Sequence, residues 1–258
     1  MKYFLILIIS ISIHAQKGIV YYGHIESPGM RSAAGPDLNA YLVFNDISSS
    51  YVTAKDSLEK VVLNNSSIYK GQNDQQVVYN GNKTFRYGKQ VYYNRKSDSL
   101  WWSQRFKGNI YVAEKKPIIK WELKKETKKI GQFQAHKAIA KFRGRLYTAW
   151  YTLDIPLPYG PWKLQGLPGL ILEASDEKNE MFLYFKSLEY PTENKTNIYQ
   201  VKRPKTDSKN WLNINDFETL LRNSLVKAYN GMVLRAEQKG NEKPVEPIFS
   251  EVYIESFE

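Results

Sequence analysis

The chain holds 258 residues, with 37 Lys and Arg against 26 Asp and Glu, a formal net charge of +11 and no cysteine. The missing cysteine excludes disulfides, thiolate metal sites, a thiol nucleophile and a lipid-modified N-terminal cysteine. The basic residues are spread along the chain and form no DNA- or RNA-binding motif, so nucleic acid is not an expected partner.

Met1-Lys2 is followed by an apolar run from Tyr3 to Ile13 and then by His14-Ala15-Gln16. A positive start, a short apolar core and a small residue describe a secretory signal peptide. The run falls well short of the about 20 residues that span a bilayer. Cleavage is expected after Ala15, although Ile13 is larger than the residue usual at that position. The expected protein is therefore exported, periplasmic or secreted, with no membrane span once the signal is removed. Residues 16–258 contain no Gly/Ser-rich or Pro-rich linker and no internal repeat, which predicts one domain.

The 19 Tyr and six Trp fall mostly in short alternating runs, the pattern of half-buried strands. "KGIVYYGHIES" reads as a first strand. Leu38 to Asp46 reads as a second, with Leu38, Ala40, Leu42 and Phe44 on one face. In "VVYNGNKTFRY", Asn80-Gly81 between two strand-like runs predicts a hairpin. "QVYYNRKSDSLWWSQRF" predicts another, turning at Lys96 to Asp98. In "EKKPIIKWELKKETKK", residues 114 to 129, Ile119, Trp121 and Leu123 alternate with Lys120, Glu122 and Lys124. That stretch reads either as a solvated strand edge, where lysines discourage edge pairing, or as a surface for acidic partners. "AIAKFRGRLYTAWYTLD" turns near Gly144, and "GLILEASDEKNEMFLYFKSLEY" turns at Asp176 to Asn179. Successive strands joined by short turns predict an antiparallel meander.

One segment has helical period: Phe217, Leu220, Leu221, Leu225 and Ala228. Asn215 reads as its N-cap, paired with Glu218, and Gly231 as its stop, giving a helix over about 215 to 230. Val252, Ile254 and Phe257 alternate as a final strand.

Residues 154 to 174, "DIPLPYGPWKLQGLPGLILEA", carry four prolines and three glycines before a pure apolar run. Pro156 and Pro158 exclude an interior strand. Gly160-Pro161 and Pro168-Gly169 are turn dipeptides. Pro168-Gly169 suits the centre of a type II turn, with Gly166 and Gly169 in backbone conformations that side chains disfavour. Leu170-Ile171-Leu172 then reads as a buried strand. The loop before it is far longer than a hairpin needs, and long ordered loops are often functional. Trp162, Leu164 and Leu167 are too apolar for a free loop. Either the loop plugs the core, or these residues, with Trp150 and Pro168, line a ligand or partner site.

"GPWKLQGLPGLILE" resembles the signature of the GLPGLI family of exported Bacteroidota proteins, named for the motif Gly166-Leu167-Pro168-Gly169-Leu170-Ile171. "GRLYTAWYTLDIP" (144 to 156) is similar to the family's approach to that motif, and "WELKKETKKIGQFQAHKA" (121 to 138) to its preceding strand pair. This chain has Ala135-His136 where relatives often carry a cysteine, so no cysteine-linked role transfers. The resemblance implies no activity. It implies a cell-envelope role beside outer-membrane TonB-dependent transporters. A looser similarity is to the bowl-like N-terminal domain of a bacterial peptide-N-glycosidase, without that enzyme's catalytic domain.

The chain has no G-x-S-x-G, H-E-x-x-H, phosphate loop or dinucleotide fingerprint. Beyond the signal only His24 and His136 remain, which is little for a metal site. Asp154 and Glu173 would serve glycoside hydrolysis only if held about 5–10 Å apart. No catalytic residue, metal or cofactor is expected. The expected fold is mainly β: one curved antiparallel sheet, half-barrel or bowl-like and similar to the lipoprotein carriers, with the late helix packed on it. The expected function is a non-enzymatic carrier or binding module whose concave aromatic face takes a hydrophobic ligand or a peptide. The alternatives are an interaction partner of an outer-membrane transporter, and an unconventional hydrolase.

Overall fold

A computed structural model describes residues 16–59, 67–70, 76–79, 84–106, 108–205 and 210–255. The expected signal peptide and the Asn80-Gly81 turn lie outside them. The strands are β1 (Gly18–Glu26), β2 (Leu38–Phe44), β3 (Ser48–Thr53), β4 (Ser67–Lys70), β5 (Gln76–Tyr79), β6 (Lys89–Asn94) and β7 (Ser99–Arg105). They continue with β8 (Asn109–Lys115), β9 (Glu122–Ile130), β10 (Phe133–Phe142), β11 (Arg145–Thr152), β12 (Leu170–Asp176) and β13 (Met181–Glu189). Two helices follow, α1 (Ile214–Gln238) and α2 (Phe249–Val252).

Eleven strands form one antiparallel sheet in the order β8-β7-β6-β3-β2-β1-β13-β12-β11-β10-β9, and β4-β5 make a separate ribbon. Two runs of antiparallel neighbours are joined by the pairing of β1 with β13, and within the first run β3 pairs with β6 across the segment that carries β4 and β5. The hairpins form where turn residues allow left-handed backbone. Arg143 and Gly144 have φ of 51° and 75° between the paired Phe142 and Arg145, and Asp98 and Asn179 have φ of 48° and 54°.

The sheet is open but strongly curled. β8 and β10 stand nine strand spacings apart in the order, roughly 43 Å if the sheet were flat. Yet Arg143, at the end of β10, bonds Glu114 of β8 at 2.5 Å. The concave side is packed with Tyr22, Leu42, Phe44, Tyr51, Leu100 and Trp102, all at most 1% exposed. Into it fold the 154–169 loop and the first turns of α1, which set Ile155, Tyr159, Phe217 and Leu221 in the same core.

Four expectations change in detail. The N-cap of helix α1 lies two residues earlier than expected, at Asn213 instead of Asn215, its side chain accepting from the Asp216 N–H at 2.9 Å. It also runs through Gly231 and stops at Gly240, where φ is 66°. A helical glycine costs only about 1 kcal/mol, which is too little by itself to end a helix. Of the expected stripe only Phe217 and Leu221 are buried; Phe217 meets the Trp102 ring edge-on at 4.8 Å. The final strand is instead the single turn α2 followed by an extended tail, Tyr253 to Glu255, held by side chains rather than by a sheet edge; Phe257 lies outside the described residues. β5 pairs with β4 rather than with the 84–87 segment, whose Phe85 bridges Lys55. The lysine-rich stretch supplies the edge strand β9, which begins at Glu122 and is mostly solvated. Ile119 and Trp121 precede it and turn inward.

Candidate functional site

The proline-glycine loop is a folded plug with its backbone bonds made. Gly166 N–H donates to the Pro158 carbonyl at 3.1 Å, Leu170 N–H to Ile155 at 3.0 Å and Ile171 N–H to Tyr159 at 2.9 Å. Trp121 Nε1 donates to the Gln165 carbonyl at 2.8 Å, and the Tyr22 hydroxyl to the Ile171 carbonyl at 2.7 Å. With its polar backbone satisfied, the loop can sit inside the curl of the sheet. Leu164, Leu167, Leu170 and Ile171 are all at most 1% exposed.

The motif glycines are needed for two different reasons. Gly166 has φ of 93°, as expected. Gly169 is not in the positive-φ region, so Pro168-Gly169 is not a type II turn. Its constraint is space: a Cβ there would stand 2.8 Å from the carbonyl carbon of Thr152 and closer still to its oxygen. The strained residue is Trp162, a non-glycine with φ of 56°. Such conformations persist where surroundings over-determine them, and they concentrate at ligand sites. The half-buried Trp162 ring lies against Phe142 at 5.9 Å and Tyr147 at 6.1 Å.

Trp162 also borders a cleft of ≈110 Å³, which it shares with Glu26, Gln104, Phe217, Tyr253 and Glu255. Strand β1 brings Glu26, β7 brings Gln104, α1 brings Phe217, and the tail brings Tyr253 and Glu255. Behind Trp162 a void of ≈20 Å³ reaches His24, Tyr51, Lys89 and Lys163.

Each carboxylate here has a lysine. Lys163 is 2% exposed and donates to both oxygens of Glu255 at 2.7 Å, while its Nζ lies 3.2 Å above the centre of the Trp102 ring. Burial pushes its pKa below the usual lysine value, against the upward pull of Glu255 and Glu114. Glu114 accepts from Trp102 Nε1 at 2.8 Å and from Arg143. Across the cleft, His24 bonds Tyr51 through Nδ1 and Glu26 through Nε2, each at 2.7 Å. Lys89 pairs with the other Glu26 oxygen. Burial raises the Glu26 pKa, but the Lys89 ammonium and the His24 contact outweigh it and hold the carboxyl well below the usual range.

A carboxyl depressed below its ordinary 4.5 contributes stability that is complete above that pH and drains away below it. Between about pH 5 and pH 3 the wild type is expected to lose unfolding free energy, and Glu26→Gln to lose less of it over the same range. Urea melts at several pH values check this; parallel acid limbs would remove Glu26 from the account.

Of the residues expected at a site, only Trp162 opens onto this cleft. Leu164 and Leu167 are core. Pro168 is exposed on the loop, and Trp150 is half-buried with the Lys128 ammonium 4.5 Å over its ring. Glu173 is paired with that same Lys128, and Asp154 is exposed on the loop, so the two carboxyls have separate surroundings. The residues that sequence reasoning missed are Glu26, Lys163 and Glu255. Lys163 carried a signal: it is the lone charge between Asp154 and Glu173.

These elements define a class, a curled open antiparallel sheet closed by a proline-glycine plug. The family described as "Protein of unknown function (Porph_ging)" matches residues 142–173, the stretch that builds β11, the plug and the start of β12. No curated protein matches the chain. Among solved structures, PNGF-II in space group P21 matches with a TM-score of 0.50 and 13% identity, over 80% of this chain and 33% of that one. The C2 form gives a TM-score of 0.47 and 14% identity, over 77% and 31%. The likeness is one of fold, and the chain spans about a third of the structures it matches.

Proposed function

We propose that the protein is an exported, non-enzymatic binding module of the GLPGLI type in the bacterial cell envelope, and that its ligand seats against Trp162. The observation that carries this reading is the ring itself. It is the large aromatic of the plug left half-buried, on strained backbone, at a cleft where five separate chain segments meet. With a volume of ≈110 Å³ the cleft takes a small group: an apolar face for Trp162 and Phe217, and a polar edge for Glu26, Gln104 and Glu255.

Glu26 and Glu255 both border the cleft, but their environments favour binding over hydrolysis. A glycosidase pair needs one carboxyl kept protonated as the acid. Here Glu26 is held ionised and Glu255 accepts both contacts of Lys163. A role beside an outer-membrane transporter is compatible with export, the ligand or a peptide of the transporter then occupying the same cleft.

Native mass spectrometry of protein purified from the envelope fraction tests the reading. The wild type is expected to retain a small-molecule or peptide adduct, and Trp162→Ala to lose it with a melting temperature within a few degrees. An adduct that survives the substitution, or a melt that collapses with no adduct in the wild type, would leave Trp162 as packing alone.

A further inference from the structure

A second cleft, of ≈270 Å³, opens at the ends of β6 and β7, walled by the 84–89 turn and by Lys202 and Pro204. Lys89 and Gln104 line it as well as the Trp162 side. Its charge is one-sided: Arg86, Lys89, Arg105 and Lys202 against Asp56. Lys89 is engaged by Glu26. The other three have no acidic partner among the described residues. Each instead lies over an aromatic ring: Arg105 over Phe85 at 4.7 Å, Arg86 over Tyr87 at 5.5 Å, and Lys202 over Tyr199 at 3.7 Å.

Ring stacking holds a guanidinium flat and leaves its N–H edge for another partner. The floor beneath is rigid. Gln90, 6% exposed, accepts from the Lys202 N–H at 2.9 Å and donates to the Lys202 carbonyl at 3.0 Å. Gly88, with φ of 69°, turns the chain where a Cβ would stand 3.0 Å from the Lys55 Cβ. Like charges gathered on a fixed frame repel one another until an anion joins them.

We propose that this cleft binds a phosphate or sulfate ester. The fork of an arginine matches a tetrahedral oxyanion, Lys202 adds a point charge, and Ser103 and Gln104 supply neutral hydrogen bonds beside them. The volume lies below the about 300–1,000 Å³ of sites for drug-sized ligands, which limits the occupant to one small ring or headgroup bearing the anion.

Titration calorimetry of the full chain at low salt, with glucose 6-phosphate, glucose and inorganic phosphate, tests the site. The phosphate ester is expected to bind and glucose not. The double variant Arg105→Gln/Lys202→Gln is expected to weaken binding at least about tenfold through two lost charge-assisted contacts. Lys125→Gln/Lys129→Gln on the solvated edge strand β9 removes the same charge elsewhere and is expected to leave binding unchanged. Sedimentation with phosphatidylcholine vesicles, with and without phosphatidic acid, separates the sources. Vesicle binding that the cleft variant abolishes assigns a lipid headgroup, and binding of the soluble ester alone assigns a free ester. Equal losses in the two double variants would reduce the effect to net charge and overturn the proposal. So would a failure of every phosphate probe to bind. All four substituted side chains are exposed, so wild-type melts are expected throughout.

Discussion

Gly169→Ala is expected to lower the unfolding free energy by about 3–4 kcal/mol, roughly 10 °C in melting temperature for a domain of this size. The new methyl carbon would overlap the Thr152 carbonyl, and the next atom it meets is the Leu153 Cα at 3.3 Å. All are backbone, so no side chain can swing aside. Thr152 is the register partner of Leu170, and relieving the overlap means parting β11 from β12. The two bonds that seat the plug, Leu170 to Ile155 and Ile171 to Tyr159, would shift with it. The Trp162 cleft would therefore lose shape along with stability. Gly231→Ala is the matched control. Its Cβ would meet nothing nearer than an Arg235 nitrogen at 3.8 Å, in the middle of α1. There the same substitution is expected to stabilise by about 0.5–1 kcal/mol. Thermal and urea melts of the two variants check both signs. A Gly169→Ala melt that matched the wild type would mean that the plug is not seated as described.

The opposite expectations for two glycines show what sequence reasoning could and could not see. Strand positions were legible because alternation along β2, or the turns at Gly144, Asp98 and Asn179, are local signals. The pairing of β1 with β13 was not, since Tyr22 opposite Phe185 is a relation between residues 163 positions apart with no pattern of its own. The stop of α1 was misplaced because a glycine inside a helix is a weak obstacle when nothing else competes. At the motif, the sequence ties the need for glycine at 169 to φ, whereas its constraint in the structure is space. The true cause, a neighbouring carbonyl, exists only once β11 is laid beside β12. Trp162 stood out as a large ring in a proline-glycine loop. Its polar surroundings did not, because Glu255 reaches Lys163 across 92 residues of chain and His24 meets Tyr51 only through the β1-β2-β3 ladder.

Arg145→Met is expected to destabilise the fold by about 3–5 kcal/mol, the cost of leaving buried charges without their partner. Arg145 opens β11 and is 5% exposed, facing Asp176 and Glu180, which are 0% and 1% exposed. Its Nη1 bonds Asp176 at 2.6 Å and Glu180 at 2.7 Å, and its Nε donates to the Ile254 carbonyl at 2.9 Å. The far oxygens of the same carboxylates accept from the Met181 and Arg31 N–H groups at 2.9 and 3.0 Å. One guanidinium thus ties the β10–β11 turn, the β12–β13 turn, the segment after β1 and the tail that carries Glu255 to Lys163. Arg145→Lys is expected to recover only part of the loss, since a point charge cannot reproduce the fork. Neutralising the two carboxyls by substitution identifies the cause. Without the arginine, Asp176 and Glu180 stay buried but lose the guanidinium that pairs them. Adding Asp176→Asn and Glu180→Gln to Arg145→Met should therefore restore part of the stability at neutral pH. Urea melts of the single and triple variants, with limited proteolysis of the tail, read both effects. If the triple variant were no more stable than the single one, lost packing rather than unpaired buried charge would be the cause, and the clamp would have no electrostatic part in holding the tail over the cleft.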